Sequence, residues 1–265
     1  MGVVGAMKDV SSVNNWLGLP IELETVLLFL ILFSGCCWLL ATFGKYAVFL
    51  RISRTAFWIL CIGFLFRAWG YEPFSVPTSS MMPSVRIGDT VWVNKHTYGF
   101  RWPILKTWIK PPNMPARNEV IVFTSPKDGK TLMVKRVFGL PGDEILWLDG
   151  NWWVNGRQVI HQEQQLVPLD WTGLTANKNV WLLEQYSLTY PIVKSMKEDE
   201  LSRLPMVWRV PGNKMFVLGD NRPYSEDSRV WGFVPVDGLI GRVEAVSNLK
   251  NPQERNRLNW IESAH

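Results

Sequence analysis

The pattern of apolar and polar positions divides the chain near residue 70. From Thr25 to Gly44 there are 20 residues without a charge. At 1.5 Å per residue such a helix crosses the roughly 30 Å hydrocarbon core of a bilayer. A cleaved secretory signal is the alternative, but this run starts after 24 residues and exceeds the roughly 7–15 residues of a signal's apolar stretch. A second apolar run, Thr55 to Phe66, lies between Arg54 and Arg67. Extended to Tyr71 it reaches the lower length limit for a span, with Arg67 reaching toward a membrane face. The pattern thus predicts one or two N-terminal transmembrane helices, 25–44 and 55–71. The link 45–54 holds Lys45, Arg51 and Arg54 and no acid. An excess of basic residues marks a cytoplasmic loop. With two spans, the chain after residue 71 lies on the extracytoplasmic side.

Beyond residue 71 the period changes to two. Thr90–Asn94 alternates, and Glu119–Phe123, Leu132–Val137 and Met215–Leu218 read as short buried strands. Ile145–Leu148 and Trp152–Val154 flank Asp149-Gly150-Asn151, and Asn155-Gly156 marks another tight turn. Glycine and proline punctuate the rest as they do in antiparallel sheets. Ser195–Leu204 reads as a turn or two of helix. The expected fold class is therefore mainly β, in antiparallel sheets, behind a membrane anchor at 1–70. Residues 158–210 break the pattern and read as an inserted or peripheral subdomain of the 71–265 domain.

Composition sharpens this picture. The 265 residues are 47% hydrophobic and only 19% charged, below the roughly 25% of an average soluble domain. The net charge of +5 comes without a basic run, so no nucleic-acid partner is expected. The three cysteines (Cys36, Cys37, Cys61) all fall in the apolar runs, and there are three histidines. Neither a disulfide after residue 71 nor a Cys- or His-based metal site is expected. Tryptophan is abundant, at 15 residues. Trp102 and Trp108 are the first candidates for an aromatic face that dips into lipid.

Three stretches carry candidate chemistry. Residues 71–84 place Ser75, Thr78, Ser79, Ser80 and Ser84 next to the second apolar run. Lys135 stands among apolar residues of a strand; it is either a solvent-facing edge lysine or a buried neutral amine. The second form can take the proton of a serine hydroxyl, because burial disfavours the ammonium. Residues 219–235 are a polar loop in which Asp227 and Arg229 can pair.

Together these stretches resemble the bacterial type I signal peptidases, a family of membrane-bound Ser/Lys endopeptidases. Val-Pro-Thr-Ser-Ser-Met-Met-Pro-Ser (76–84) is similar to the family's Pro-Ser-Gly-Ser-Met-x-Pro-Thr box, and 87–99 to the box that follows. Lys135-Arg136 with Gly139–Asp143 resembles the lysine box. Residues 219–232 resemble Gly-Asp-Asn-x-x-x-Ser-x-Asp-Ser-Arg-x-Trp-Gly. The boxes occur in family order and, with their flanks, cover about 70 residues.

The resemblance implies a signal-peptidase-like catalytic fold and a role for each matching residue. Ser80 is the acylating nucleophile and Lys135 the general base. The Ser80 backbone N–H and the Thr78 hydroxyl form the oxyanion hole. Ser225 orients the Lys135 amine, and Asp227 and Arg229 are a structural ion pair. No metal or other cofactor is required. The implied substrates are exported preproteins with small residues at the first and third positions before the cut. Phe74, Val76, Val122 and Val134 would line shallow pockets for them, or pack as ordinary core. The implied site of action is the bacterial inner membrane, with the lipid bilayer as a second partner.

Besides Ser84 in place of a threonine, two departures from the family pattern matter. Thr78 replaces a serine and keeps the hydroxyl. Ser79 replaces a glycine, which strains the backbone if that position needs positive φ. Two other functions share these features: a conjugation-linked Ser/Lys maturation peptidase with one dedicated substrate, and a non-enzymatic membrane-anchored β domain. The last requires Ser80 and Lys135 to lie apart.

Overall fold

The structure, a computed structural model, describes residues 8–9, 13–14, 20–21, 23–44, 47–101, 107–163, 179–185, 189–195, 205–247 and 258–260. Short strands β1 (Lys8–Asp9), β2 (Val13–Asn14) and β3 (Pro20–Ile21) precede helices α1 (Leu23–Gly44) and α2 (Ala47–Trp69). The first β region comprises β4 (Tyr71–Ser75), β5 (Thr90–Asn94), β6 (Val120–Thr124), β7 (Leu132–Gly139), β8 (Glu144–Leu148), β9 (Asn151–Val154) and β10 (Arg157–Gln158). Next come β11 (Ile160–Glu163), β12 (Asn179–Gln185), β13 (Thr189–Ser195), β14 (Met206–Arg209) and β15 (Lys214–Leu218). A 3-10 turn at Arg222–Tyr224, the short helix α3 (Ser228–Trp231), β16 (Val234–Pro235), β17 (Leu239–Ser247) and β18 (Leu258–Trp260) follow.

Helices α1 and α2 are each long and apolar enough to cross a membrane. They pack on each other where Gly35 lets the Phe57 ring approach; a methyl on Gly35 would lie 3.3 Å from it. Trp38 and Phe57 meet with ring centroids 5.6 Å apart. Ser34, Ala41 and Ser53 are buried, and the two serine hydroxyls donate to carbonyls of their own helices, Ile31 and Phe49. The outer faces expose Phe29, Phe33, Leu40, Phe43, Ile52 and Ile62, an apolar surface that water does not tolerate on this scale. The second helix starts earlier than the apolar run predicts, at Ala47 instead of Thr55. The basic link shrinks to residues 45–46, and Arg51 and Arg54 are helical. Long basic side chains can reach past the end of an apolar stretch without breaking the helix.

The main sheet runs β1-β4-β5-β17-β6-β7-β15-β16, with β18 beside β17. Every pairing among the described residues is antiparallel. The sheet curls, because side chains from β4 (Phe74), β5 (Val91, Val93), β17 (Val243, Val246), β6 (Val120, Val122) and β7 (Val134) share one core cluster. The alternate residues Ile121 and Phe123 of β6 enter a second cluster with Met215 and Val217 of β15. Burial on both faces explains why β6 is an unbroken apolar run.

A smaller sheet, β10-β9-β8-β14, covers a third cluster. Its turns have the predicted chemistry: Asp149 and Gly150, then Asn155 and Gly156, all have positive φ, as type I′ hairpins require. Among the described residues of 158–210, β11, β12 and β13 pair only with one another, whereas β14 returns to β8. Ser195 ends β13; the rest of the expected helix, 196–204, lies outside the described residues.

The tryptophans mostly pack. Trp147, Trp152 and Trp208 stack with Phe138 and Phe216 at centroid distances of 4.7–6.1 Å. Trp108 differs from the expected membrane-facing residue. Its Nε1 donates to the Asp237 carbonyl at 3.1 Å, Arg101 lies over its ring at 5.1 Å, and it packs against the second core cluster. Trp102 lies outside the described residues.

Curling brings β17 tightly against β5 at Gly241. A Cβ there would stand 2.4 Å from the Asn94 carbonyl oxygen and 2.8 Å from Val93. Gly241→Ala is expected to force the strands apart and destabilise the domain by about 1–3 kcal/mol, read as a lower urea midpoint of unfolding.

Candidate active site

Ser80 sits in the irregular turn after β4, and Lys135 sits in β7, 55 residues away. The curl of the sheet brings them together. Lys135 Nζ donates to Ser80 Oγ at 2.6 Å, and the two residues are 3% and 8% exposed. Lys135 is therefore the buried alternative, not the solvent-facing one. Burial pushes its amine down from 10.5 to about 8, against the pull of Asp227 and Asp220. Holding it there costs the fold on the order of 3 kcal/mol below pH 8.

Thr78 Oγ1 lies 3.4 Å from Ser80 Oγ, on the same rim. The Ser80 backbone N–H makes no hydrogen bond among the described residues. Ser79 is not strained. Among the described residues only Asn118, Asp149, Asn155 and Asn213 are non-glycine residues with positive φ. The turn at position 79 therefore accepts a side chain.

Asp227 caps α3 and is fully buried. Its carboxylate accepts from Arg229 Nε at 2.7 Å, Arg229 Nη2 at 2.9 Å and Gly219 N–H at 3.0 Å. Burial alone would raise this carboxyl; Arg229 and the Gly219 N–H outweigh it and hold the group below its ordinary range. Arg229 also donates to the carbonyls of Arg222 and Ser225, which fastens the loop to itself. The expected bond from Ser225 to the Lys135 amine is not formed: Ser225 Oγ is buried without a hydrogen-bond partner among the described residues and lies beside Gly219. A methyl on Gly219 would lie 2.1 Å from Ser225 Oγ and 2.5 Å from the Ser80 carbonyl oxygen. The loop reaches Ser80 only because residue 219 has no side chain.

Two further groups carry no role in the sequence reading. Arg136, next to Lys135, pairs bidentately with Asp220 at 2.8 and 2.6 Å and donates to the Asn118 carbonyl at 2.8 Å. Ser84 Oγ donates to the same Asp220 carboxylate at 2.5 Å. Asn221 bonds the backbone on both sides of the Ser79–Ser80 junction. Both groups lie inside the stretches singled out from sequence. A buried charge always needs a partner, but sequence alone does not say which one it meets.

The four expected pocket residues, Phe74, Val76, Val122 and Val134, come together in one cluster. None is more than 4% exposed. They form the floor beneath the Ser80 turn, packed as core.

Comparison with known proteins bears on this geometry. The family model "Signal peptidase, peptidase S26" matches residues 49–247. Signal peptidase I of Buchnera aphidicola subsp. Baizongia pistaciae (strain Bp) is 32% identical over 223 residues, covering 70% of this chain and 72% of that protein. Signal peptidase I of Pseudomonas fluorescens is 30% identical over 218 residues, covering 77% and 74%. A signal peptidase I from Enterococcus faecalis V583, known from its crystal structure, has 28% identity and a TM-score of 0.30, covering 49% of this chain and 97% of that one. The matched region takes in the Ser80 turn, β7 and the loop 219–232, and the chain belongs to the signal peptidase family, peptidase S26, and is a peptidase.

Proposed function

We propose that this chain removes signal peptides from exported preproteins as a membrane-anchored serine endopeptidase, with Ser80 as nucleophile and Lys135 as general base. The observation that carries the reading is the 2.6 Å contact between the Ser80 hydroxyl and an amine that burial holds near 8. A serine hydroxyl is a weak nucleophile until a neighbouring base takes its proton. A lysine near its ordinary value is protonated at neutral pH and has no lone pair to offer. Burial raises the fraction of neutral amine at that pH, and the short contact supplies the path.

In this mechanism Lys135 Nζ takes the Ser80 proton as Oγ attacks the scissile carbonyl carbon. The oxyanion accepts hydrogen bonds from the Ser80 N–H and the Thr78 hydroxyl. Collapse breaks the C–N bond, and Lys135 returns its proton to the leaving amine. Lys135 then takes a proton from water, the hydroxide adds to the acyl ester, and Ser80 leaves with that proton restored. Asp227 and Arg229 hold the loop that walls Lys135 off from water. General-base assistance of this kind contributes about 10²–10⁴-fold.

Membership of the family supports preproteins as the substrate class. The same membership supports small residues at the first and third positions before the cut, while Phe74, Val76, Val122 and Val134 pack as core. Helices α1 and α2 are the anchor in the bacterial inner membrane, and the positive residues Lys45, Arg51 and Arg54 put the turn between them in the cytoplasm. The β domain, 71–265, then works at the extracytoplasmic surface.

Processing of a preprotein in detergent tests the dyad. Ser80→Ala and Lys135→Ala are each expected to lose at least about 10³-fold in kcat/KM, and Ser79→Ala to keep most activity. Full activity in either of the first two overturns the assignment. Lys135→Arg also fails in this scheme, since a guanidinium stays protonated. The pH profile supplies the second test. The neutral amine is the active form, so kcat/KM rises with pH and reaches half its plateau near 8. A rising limb centred near 10.5 would contradict the role of burial.

A further inference from the structure

We propose that Asn221 is a positioning residue for the oxyanion donor: its side-chain amide sets the direction of the Ser80 N–H. The proposal rests on the reading of Ser80 as nucleophile and oxyanion donor. The peptide between Ser79 and Ser80 is a rigid plane, in which the Ser79 carbonyl and the Ser80 N–H point in opposite directions. Whatever fixes the carbonyl oxygen therefore aims the N–H.

The Ser79 oxygen accepts two hydrogen bonds. One comes from Met82 N–H at 3.1 Å, within the same turn, and moves with it. The other comes from Asn221 Nδ2 at 3.0 Å, across 142 residues of sequence. Asn221 also holds the next plane, because its backbone N–H donates to the Ser80 carbonyl at 3.1 Å. One residue thus grips the two successive carbonyls that flank the nucleophile. The Ser80 N–H between them makes no hydrogen bond among the described residues and is free for a developing oxyanion.

Asn221 can serve as a reference point because it is itself immobile. It is fully buried. Its carbonyl accepts from Tyr224 N–H at 3.0 Å. Its neighbour Asp220 is pinned to Arg136, one residue from Lys135 on β7. The donor and the base are therefore referred to the same strand. The amide is retained for its NH2 side: Oδ1 is buried and has no hydrogen-bond partner among the described residues. Aspartate has the same shape but, when ionised, can only accept, so it would set a lone pair against the Ser79 oxygen.

An interaction that aims a donor at developing charge acts on the transition state and not on substrate binding. The test compares the full chain in detergent with Asn221→Ala and with the isosteric Asn221→Asp, which keeps the packing. Four readouts are needed: kcat and KM for a preprotein, the pH profile, Ki for an uncleavable signal peptide, and Ki for a peptide aldehyde. The aldehyde adds Ser80 Oγ to its carbonyl carbon and so needs the oxyanion donors.

Removing a whole oxyanion donor lowers kcat by about 10²–10³-fold. Misaiming one is expected to lower it by roughly 10- to 100-fold, with an equal rise in the aldehyde Ki. KM, the Ki of the uncleavable peptide and the rising limb near pH 8 are expected to stay as in the wild type, and Asn221→Asp to be the more damaged variant. Unchanged aldehyde affinity in both variants overturns the proposal. So does a loss that moves KM and the pH limb together, which marks a general loosening of the site. Failure of the underlying reading looks different: the wild-type chain would not bind the aldehyde, or Ser80→Ala would remain active.

Discussion

The structure depends on one costly arrangement, an uncompensated amine buried against a hydroxyl. Lys135 has no carboxylate within hydrogen-bond reach among the described residues; its partner there is Ser80 Oγ. An ammonium in that place loses its hydration with little in return, so burial lowers the amine to about 8 and raises its neutral fraction. The surroundings keep nearby charge at a controlled distance. Asp227 is engaged by Arg229 and by the Gly219 N–H, and Asp220 is engaged by Arg136 and Ser84. Each carboxylate still pulls the amine upward, but each is committed elsewhere. A free carboxylate at Lys135 would raise it and remove its lone pair at neutral pH.

The same pairs solve a mechanical problem. Ser80, Lys135 and the loop 219–229 come from three distant parts of the sequence. Antiparallel pairing places β7 between β6 and β15, so Lys135 and the start of the loop lie side by side. Arg136–Asp220 then ties the loop to the strand of Lys135, and Asn221 ties it to the turn of Ser80. Gly219 lets the loop approach without a collision. Stability and geometry are therefore the same set of contacts here.

Much of this was legible in the sequence, for reasons that differ by element. The two apolar runs were visible because a bilayer demands length and apolarity together. The hairpins at Asp149-Gly150 and Asn155-Gly156 were visible because positive φ restricts residue choice. Ser80 and Lys135 were visible through ordered motifs. Strand β17 escaped notice although it is the longest, at nine residues. Its Gly241 and charged Arg242 and Glu244 mask an alternation whose polar members are satisfied across the sheet by Glu119 and Asn94. The start of α2 was missed because Arg51 and Arg54 break the apolar run but not the helix. The excess of tryptophan pointed to lipid at Trp102 and Trp108, yet Trp108 packs against a core cluster, as Trp147, Trp152 and Trp208 do beneath a small sheet. Composition records that a side chain is large and apolar, not which surface it covers.

In the proposed mechanism burial, not a partner charge, makes Lys135 a base near neutral pH. The direct measurement is an NMR titration of the Lys135 Nζ in the full-length chain in detergent, assigned by comparison with a Lys135→Met variant. The account predicts a midpoint near 8. A midpoint at the ordinary lysine value near 10.5 would contradict it.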